Sequence, residues 1–401
     1  MAIIAKRIGT SGANFTELPN MEYVSQKSDL PSPSAGVITL LADTTYFFIG
    51  TIDLTGDRLV GDSNTCLLGN SSENAFLTST GLGAGVALFT TDYTTPIRHI
   101  SFKDVDTAID IDGSRSGQNP ALDWYGVNFV NVPNVGTIKD VDNWIYSTGA
   151  VLNSRGLKFD GSIGTVGASN SIFVGDGSAG NIVEILSTAN ITRRFRIIYS
   201  SVVAFASTTG IDVDVSATIP VEGYILDTIN FSGGSTYLAG VDYLDNKSSF
   251  VRCIGINNTT EIGNYYMTGN STATTISVAS TPVKVAGITT ANAINQKFSH
   301  IDNRLTFTGA LANTFEVNSI ATFITSNNRD IKLSIAKNGT VIADSSVPVT
   351  SDNAGKAHAV PMQTILEMQT NDYIEIFVQN DTDTNSITVE YLSTTIKVLE
   401  F

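Results

Sequence analysis

Aspartates are the side chains of this chain with the most obvious chemical use. Asp140 and Asp142 lie in "IKDVDNW", Asp160 in "LKFDGSIGTV", Asp212 and Asp214 in "GIDVDV", with Asp227 close behind. Two carboxylates roughly 5–10 Å apart can cleave a glycosidic bond, one as the acid and the other as base or nucleophile. Strands stacked about 4.8 Å apart would supply such a pair from neighbouring rungs. The contexts are nonetheless ordinary for turn or solvent-facing aspartates. Asp160 precedes Gly161, and Asp-Gly marks a turn because glycine takes φ > 0 without strain. The matching positions of the repeat described below are Lys103, Val130, Ser200 and Ser232, so the repeat does not require a carboxylate there. Asp160 is therefore read as a corner residue.

Other chemical patterns are incomplete. "DGSAG", from Asp176 to Gly180, lacks the first glycine of a nucleophile elbow, and His99, His300 and His358 are too scattered to complete a triad. "NAGKAH" lacks the leading glycine and the Ser/Thr of a phosphate loop. "DVDTAIDIDG", with Asp104, Asp106, Asp110 and Asp112, resembles a calcium loop but misses its last glutamate, and its alternating isoleucines read as a strand. Cys66 and Cys253 can form neither a zinc site nor a disulfide framework on their own. No cofactor and no metal is expected.

Sugar binding without cleavage needs aromatic faces beside polar groups. Both tryptophans of the chain stand beside tyrosines, at Trp124-Tyr125 and at Trp144-x-Tyr146. Trp124, Tyr125, Trp144 and Tyr146 are thus the ligand-binding candidates. The preferred reading makes them fillers of the interior or of a subunit interface.

The elements that must position these residues are strands. Ser, Thr, Asn and Gly replace charge, which stands at 15% of residues against the roughly 25% usual in globular chains. Thr, Val and Ile dominate most windows and favour strands. An apolar-x-apolar step recurs at Ile100-x-Phe102, Val127-x-Phe129, Leu157-x-Phe159, Ile197-x-Tyr199, Ile229-x-Phe231 and Ile254-x-Ile256, at intervals of 25 to 40 residues. Units this short bury an inward side chain only by stacking on the unit before. A parallel β-helix with three short strands per turn fits them. After residue 270 the alternation is longer, in "TFEVNSIATFITS", "DIKLSIAKNGTVI", "DYIEIFVQND" and "SITVEYLSTTIKVLEF". Asn338-Gly339 is a strong hairpin signal there. The expected organisation is a segment and linker at 1–36, a right-handed parallel β-helix at 37–270 and an antiparallel jelly-roll sandwich at 271–401.

The net charge of −15 argues against nucleic acid, since phosphate neutralisation needs Lys and Arg, and against anionic membrane surfaces. The apolar run after Met1 is too short for a signal peptide, and no window approaches a membrane span, so synthesis in a cytoplasm without membrane insertion is expected.

The entry into the repeats, "GVITLLADTTYFFIGTIDLTGDRLVGD", the repeat region, and the tail motifs "AKNGTVI", "NDYIEIFVQN" and "ITVEYLSTTIKV" resemble trimeric fibre or spike proteins of tailed-phage virions. These have a β-helix body and a head similar to the tumour-necrosis-factor and complement-head jelly roll. The resemblance implies an intertwined or side-by-side homotrimer on the virion. It implies attachment to other virion proteins through residues 1–36 and non-enzymatic binding of a host-surface glycan or protein. The alternatives are a depolymerase cutting host polysaccharide and a purely structural decoration protein.

Overall fold

The computed structural model describes residues 20–399, apart from 206, 220–222, 235, 242–248, 257–258, 260, 294, 310–311 and 353. Residues 1–19, most of the expected attachment segment, lie outside the described residues. Strands and turns make up nearly all of the rest, with three short 3-10 turns and no α-helix among the described residues. The chain divides into two compact units: residues 1–220, 228–241 and 254–256, and residues 221–227, 242–253 and 257–401.

The first unit is a β-solenoid built of parallel ladders. The clearest is an eight-stranded sheet in which three-residue strands stack in chain order, from Thr51–Asp53 to Asn230–Ser232. Its inward column is Ile52, Leu77, Phe102, Phe129, Val151, Phe173, Val202 and Phe231, each paired in register with the next. All eight are buried. The middle residue of each strand faces inward because side chains alternate faces, and stacking then makes one continuous core.

This column corrects the expected repeat. Phe102, Phe129 and Phe231 belong to it, but Phe159 lies in another ladder, within the strand Leu157–Ser169. Tyr199 is an exposed corner residue. The true spacing is 22 to 29 residues, and Val151, Phe173 and Val202 fill the gaps that the aromatic pattern left.

Two further ladders complete each turn. They are joined by two long strands, Asn134–Ser147 and Leu157–Ser169, whose first halves pair with one ladder and second halves with the other. The bend comes at Asp140, with φ of 51°, and at Gly161, with φ of 63°. At another corner His99, Gly126, Thr148, Asn170, Tyr199 and Thr228 all take positive φ. There the backbone N–H of one rung donates to a carbonyl of the next, as from Thr148 to Ser169 at 3.0 Å and from Asn170 to Ile198 at 3.2 Å. The first rung starts before residue 37, since Met21–Val24 pairs in parallel with Thr45–Phe48.

The second unit contains an antiparallel sandwich. One sheet has the order Thr290–Ala291, Ile262–Met267, Thr388–Val398, Asn313–Ile324, His358–Met368. The other is centred on Arg329–Lys337 and Tyr373–Asn380. Phe315, Val317 and Phe323 from the first sheet and Ile331, Leu333, Ile374 and Ile376 from the second share one core. Asn338 and Gly339, with φ of 51° and 76°, join Lys337 to Thr340 in the expected tight hairpin. The sandwich begins ahead of residue 271, because Ile262–Met267 already pairs with Thr388–Val398.

Candidate functional site

Three of the four aromatic candidates lie inside the solenoid. Trp124 stands in register with Tyr146, and Leu122 with Trp144, so all four point to one face of their strands, the inner one. Trp124, Trp144 and Tyr146 are buried. Trp144 stacks on Tyr146 at 5.2 Å between ring centres and meets Phe159 edge-on at 5.0 Å and Trp124 edge-on at 6.2 Å. Tyr146 donates its hydroxyl proton to the Val127 carbonyl at 2.7 Å, and burial pushes that phenol well above its usual range. The indole N–H groups of Trp124 and Trp144 have no hydrogen-bond acceptor. None of these rings can offer a face to a sugar, which corrects the ligand-binding candidacy of Trp124, Trp144 and Tyr146 and leaves them as the interior fillers of the preferred reading. Tyr125 points outward, 44% exposed, with its ring edge-on to His99.

The candidate carboxylates have individual structural partners. Asp140 Oδ1 accepts from the Ser162 amide at 2.8 Å, and a Cβ on Gly161 would overlap that carboxylate. Asp160 accepts from the Gly161 amide and from the Thr188 hydroxyl. Asp142 takes Arg193 at 2.7 Å, Asp212 takes Asn181 at 2.8 Å, and Asp214 takes the Ser216 amide at 2.8 Å. Asp227 accepts from Nε and Nη2 of the Arg252 guanidinium. Of the four aspartates of the calcium-like stretch, Asp110 and Asp112 share the Arg115 guanidinium and the other two have partners of their own. Asp104 accepts from Asn131, Asp106 from the Gly85 amide, Asp110 from Arg115 and Asp112 from Ser114. Burial opposes the charge on Asp112, but Ser114, Lys139 and Arg115 outweigh it and hold the carboxyl below its usual range. Among the described residues no group of three or more His, Cys, Asp or Glu could hold a metal ion.

The surface with the most distinctive chemistry is one that the motifs missed. It is the open face of the five-stranded sheet. Registered rows run across it: Ile262, Lys397, Glu316 and Ile365; Asn264, Thr395, Asn318 and Gln363; Tyr266, Ser393, Ile320 and Pro361; Tyr391, Thr322 and Ala359. Glu316 and Lys397 are the charged residues of these rows and pair with each other at 2.9 Å. Lys397 first, then Asn318, holds the Glu316 carboxyl below its usual range. Gln363 donates to Glu316 at 2.9 Å. Ile320, Ile365, Tyr391 and Tyr266 are 40–59% exposed. A depression of about 500 Å³ lies at the centre, lined by Asn318, Ile320, Pro361, Gln363, Ser393 and Thr395 among others. The signal for this face was present in the sequence. In "TFEVNSIATF" the outward phase reads Glu, Asn, Ile, Thr, and the isoleucine breaks a polar series.

Neither a protein-family profile nor a curated protein matches the chain. Solved structures with similarity to it include Eiger TNF from S. frugiperda, with 9% identity over 36% of this chain and 96% of that one, TM-score 0.25. The PRD1 vertex protein P5 has 9% identity over 36% and 100%, TM-score 0.25. Murine APRIL at pH 5.0 has 6% identity over 34% and 98%, TM-score 0.24. Likenesses at these TM-scores carry no argument about this chain. The fold rests on its own strand registers: a parallel solenoid and an antiparallel two-sheet sandwich of the jelly-roll kind.

Proposed function

We propose that the chain is a subunit of a homotrimeric virion fibre or spike that attaches a particle to its host by multivalent, non-enzymatic binding. The observation that carries this reading is the charge-poor open face of the sandwich, where Glu316 pairs with Lys397 and Glu367 stands in the outer row with Thr314. The chain bears a net charge of −15, so two copies repel wherever their general surfaces meet. A sheet face whose central rows hold one internally paired charge couple beside exposed Ile320, Ile365, Tyr391 and Tyr266 is where copies can meet at the least of that cost. Three copies present each weak host contact three times, and linked contacts raise avidity without new chemistry. The ligand is a host-surface glycan or protein. Residues 1–36 attach the subunit to other virion proteins. The non-enzymatic reading is supported by the candidate carboxylates, each of which already holds a hydrogen-bond or ion-pair partner.

Light scattering on the full-length chain tests the assembly: about three times 42.6 kDa is expected, and a monomer overturns the reading. Labelled trimer should then bind permissive bacterial cells and release no reducing ends from their surface polysaccharide. Release of reducing ends would establish a depolymerase instead. Failure to bind any permissive cell would leave a decoration protein.

A further inference from the structure

We propose that Lys297 and Asn313 become joined by an intramolecular isopeptide bond, with Glu261 as the acid–base catalyst. Three residues from different parts of the sandwich converge here. Glu261 precedes the strand Ile262–Met267, Lys297 precedes the strand Phe298–Ile301, and Asn313 opens the strand Asn313–Ile324. Lys297 Nζ donates to Glu261 Oε1 at 3.3 Å. Asn313 Nδ2 donates to Glu261 Oε2 at 2.6 Å. The lysine and glutamate side chains are only 8% and 11% exposed. Beside them Phe298, Phe307 and Phe315 pack with ring centres 5.0–5.4 Å apart.

One carboxylate thus bridges an amine and a carboxamide, one oxygen to each, at the margin of an aromatic cluster. A buried ion pair alone is a weak stabiliser, because desolvation offsets its attraction. The same arrangement is well formed for acyl transfer. Glu261 takes a proton from the Lys297 ammonium through Oε1, and the freed Nζ lone pair attacks Asn313 Cγ. The Cγ–Nζ bond forms as the carbonyl π electrons move to oxygen. Glu261 delivers a proton through Oε2 to Nδ2, the carbonyl re-forms, and the Cγ–Nδ2 bond breaks. Ammonia leaves and takes up the second proton lost by Nζ. The sum is ammonium side chain plus carboxamide giving secondary amide plus ammonium ion, with no oxidant or reductant. The bond would tie the start of the hairpin Phe298–Phe307 to the start of the strand Asn313–Ile324.

Mass spectrometry of the folded full-length chain tests this. The expected mass is that of the sequence less one ammonia. Trypsin should leave residues 285–304 uncut after Lys297 and branched to 305–329. The branched species is decisive, since succinimide formation at Asn338-Gly339 also releases ammonia. Glu261→Gln should give separate peptides. Lys297→Arg keeps the cation and cannot form the bond, so it should show the full mass and a lower melting temperature. Wild-type chain that keeps its full mass and linear peptides after prolonged incubation when folded overturns the proposal. A branched digest from Glu261→Gln overturns the role given to Glu261.

Discussion

Thr148 sits exposed at a solenoid corner with φ of 56°. A β-branched residue there is strained, by roughly 1–2 kcal/mol on the usual penalty for the left-handed region. The rung needs its backbone N–H, which donates to Ser169, and not its side chain. Thr148→Gly should therefore stabilise the chain by about 1 kcal/mol, net of the extra freedom glycine gives the unfolded chain, and a higher denaturant midpoint would show it. Gly161→Ala at the neighbouring corner should do the opposite, since a Cβ there meets the Asp140 carboxylate. Single residues of this kind were partly legible in the sequence. Asp160-Gly161 announced a corner by its turn chemistry. Thr148 and Tyr199 did not, because the stack imposes their left-handed backbone against local preference. Trp124 and Tyr125 carried an unused signal: adjacent residues of a strand face opposite sides, so they could never share a sugar-binding surface.

The ladders set how much each ring contributes. Trp144 lies in the solenoid core against Trp124, Tyr146 and Phe159, so Trp144→Ala should cost about 3–5 kcal/mol. Tyr125→Ala on the outer face should stay within about 0.5 kcal/mol. Equal losses in urea melts of the two variants would contradict the inward and outward assignment. The element spacing was only half legible. Aromatic residues gave a visible rhythm, but Val151 and Val202 fill the same column with smaller side chains, so their rungs fell outside that rhythm. In the sandwich the alternation and the Asn-Gly turn were unambiguous, and a pH dependence follows from the next turn. Burial would raise the Asp372 carboxyl, but the Gln369 amide, Lys337 and Asn338 outweigh it and hold it below its usual value. The fold therefore favours the ionised form. Its contribution is present above the unfolded value of 3.8 and is lost as pH falls through the lower folded value. Asp372→Asn should cost about 1 kcal/mol at pH 7. The gap to wild type in urea midpoints should shrink as the pH is lowered below 4. A gap that persists undiminished would assign the loss to packing.

At the scale of the whole molecule the question is what covers the open face of the five-stranded sheet. Ile320 stands mid-row between Ser393 and Pro361, half exposed, on a surface whose central charges, Glu316 and Lys397, pair with each other. Ile320→Arg puts an unpaired charge where three copies would have to desolvate it, at a cost of several kcal/mol per buried charge. As the side chain points away from the sandwich core, the subunit should keep its circular dichroism and its strand content. The expected outcome is a mass near 42.6 kDa by light scattering, with host-cell binding falling toward that of a single weak site as avidity is lost. Trimer mass retained in Ile320→Arg would move the self-association surface elsewhere, and Tyr125 on the outer face of the solenoid would be the next position to change. A truncation can ask the same question only if it is cut in the right place. Ending the chain at residue 276 leaves Ile262–Met267 without Thr388–Val398, its partner in the sandwich, and exposes an unpaired strand edge prone to aggregation. Ending it at residue 256 removes the sandwich whole. If the open face carries assembly, that chain should be monomeric at concentrations where the full-length chain is a trimer.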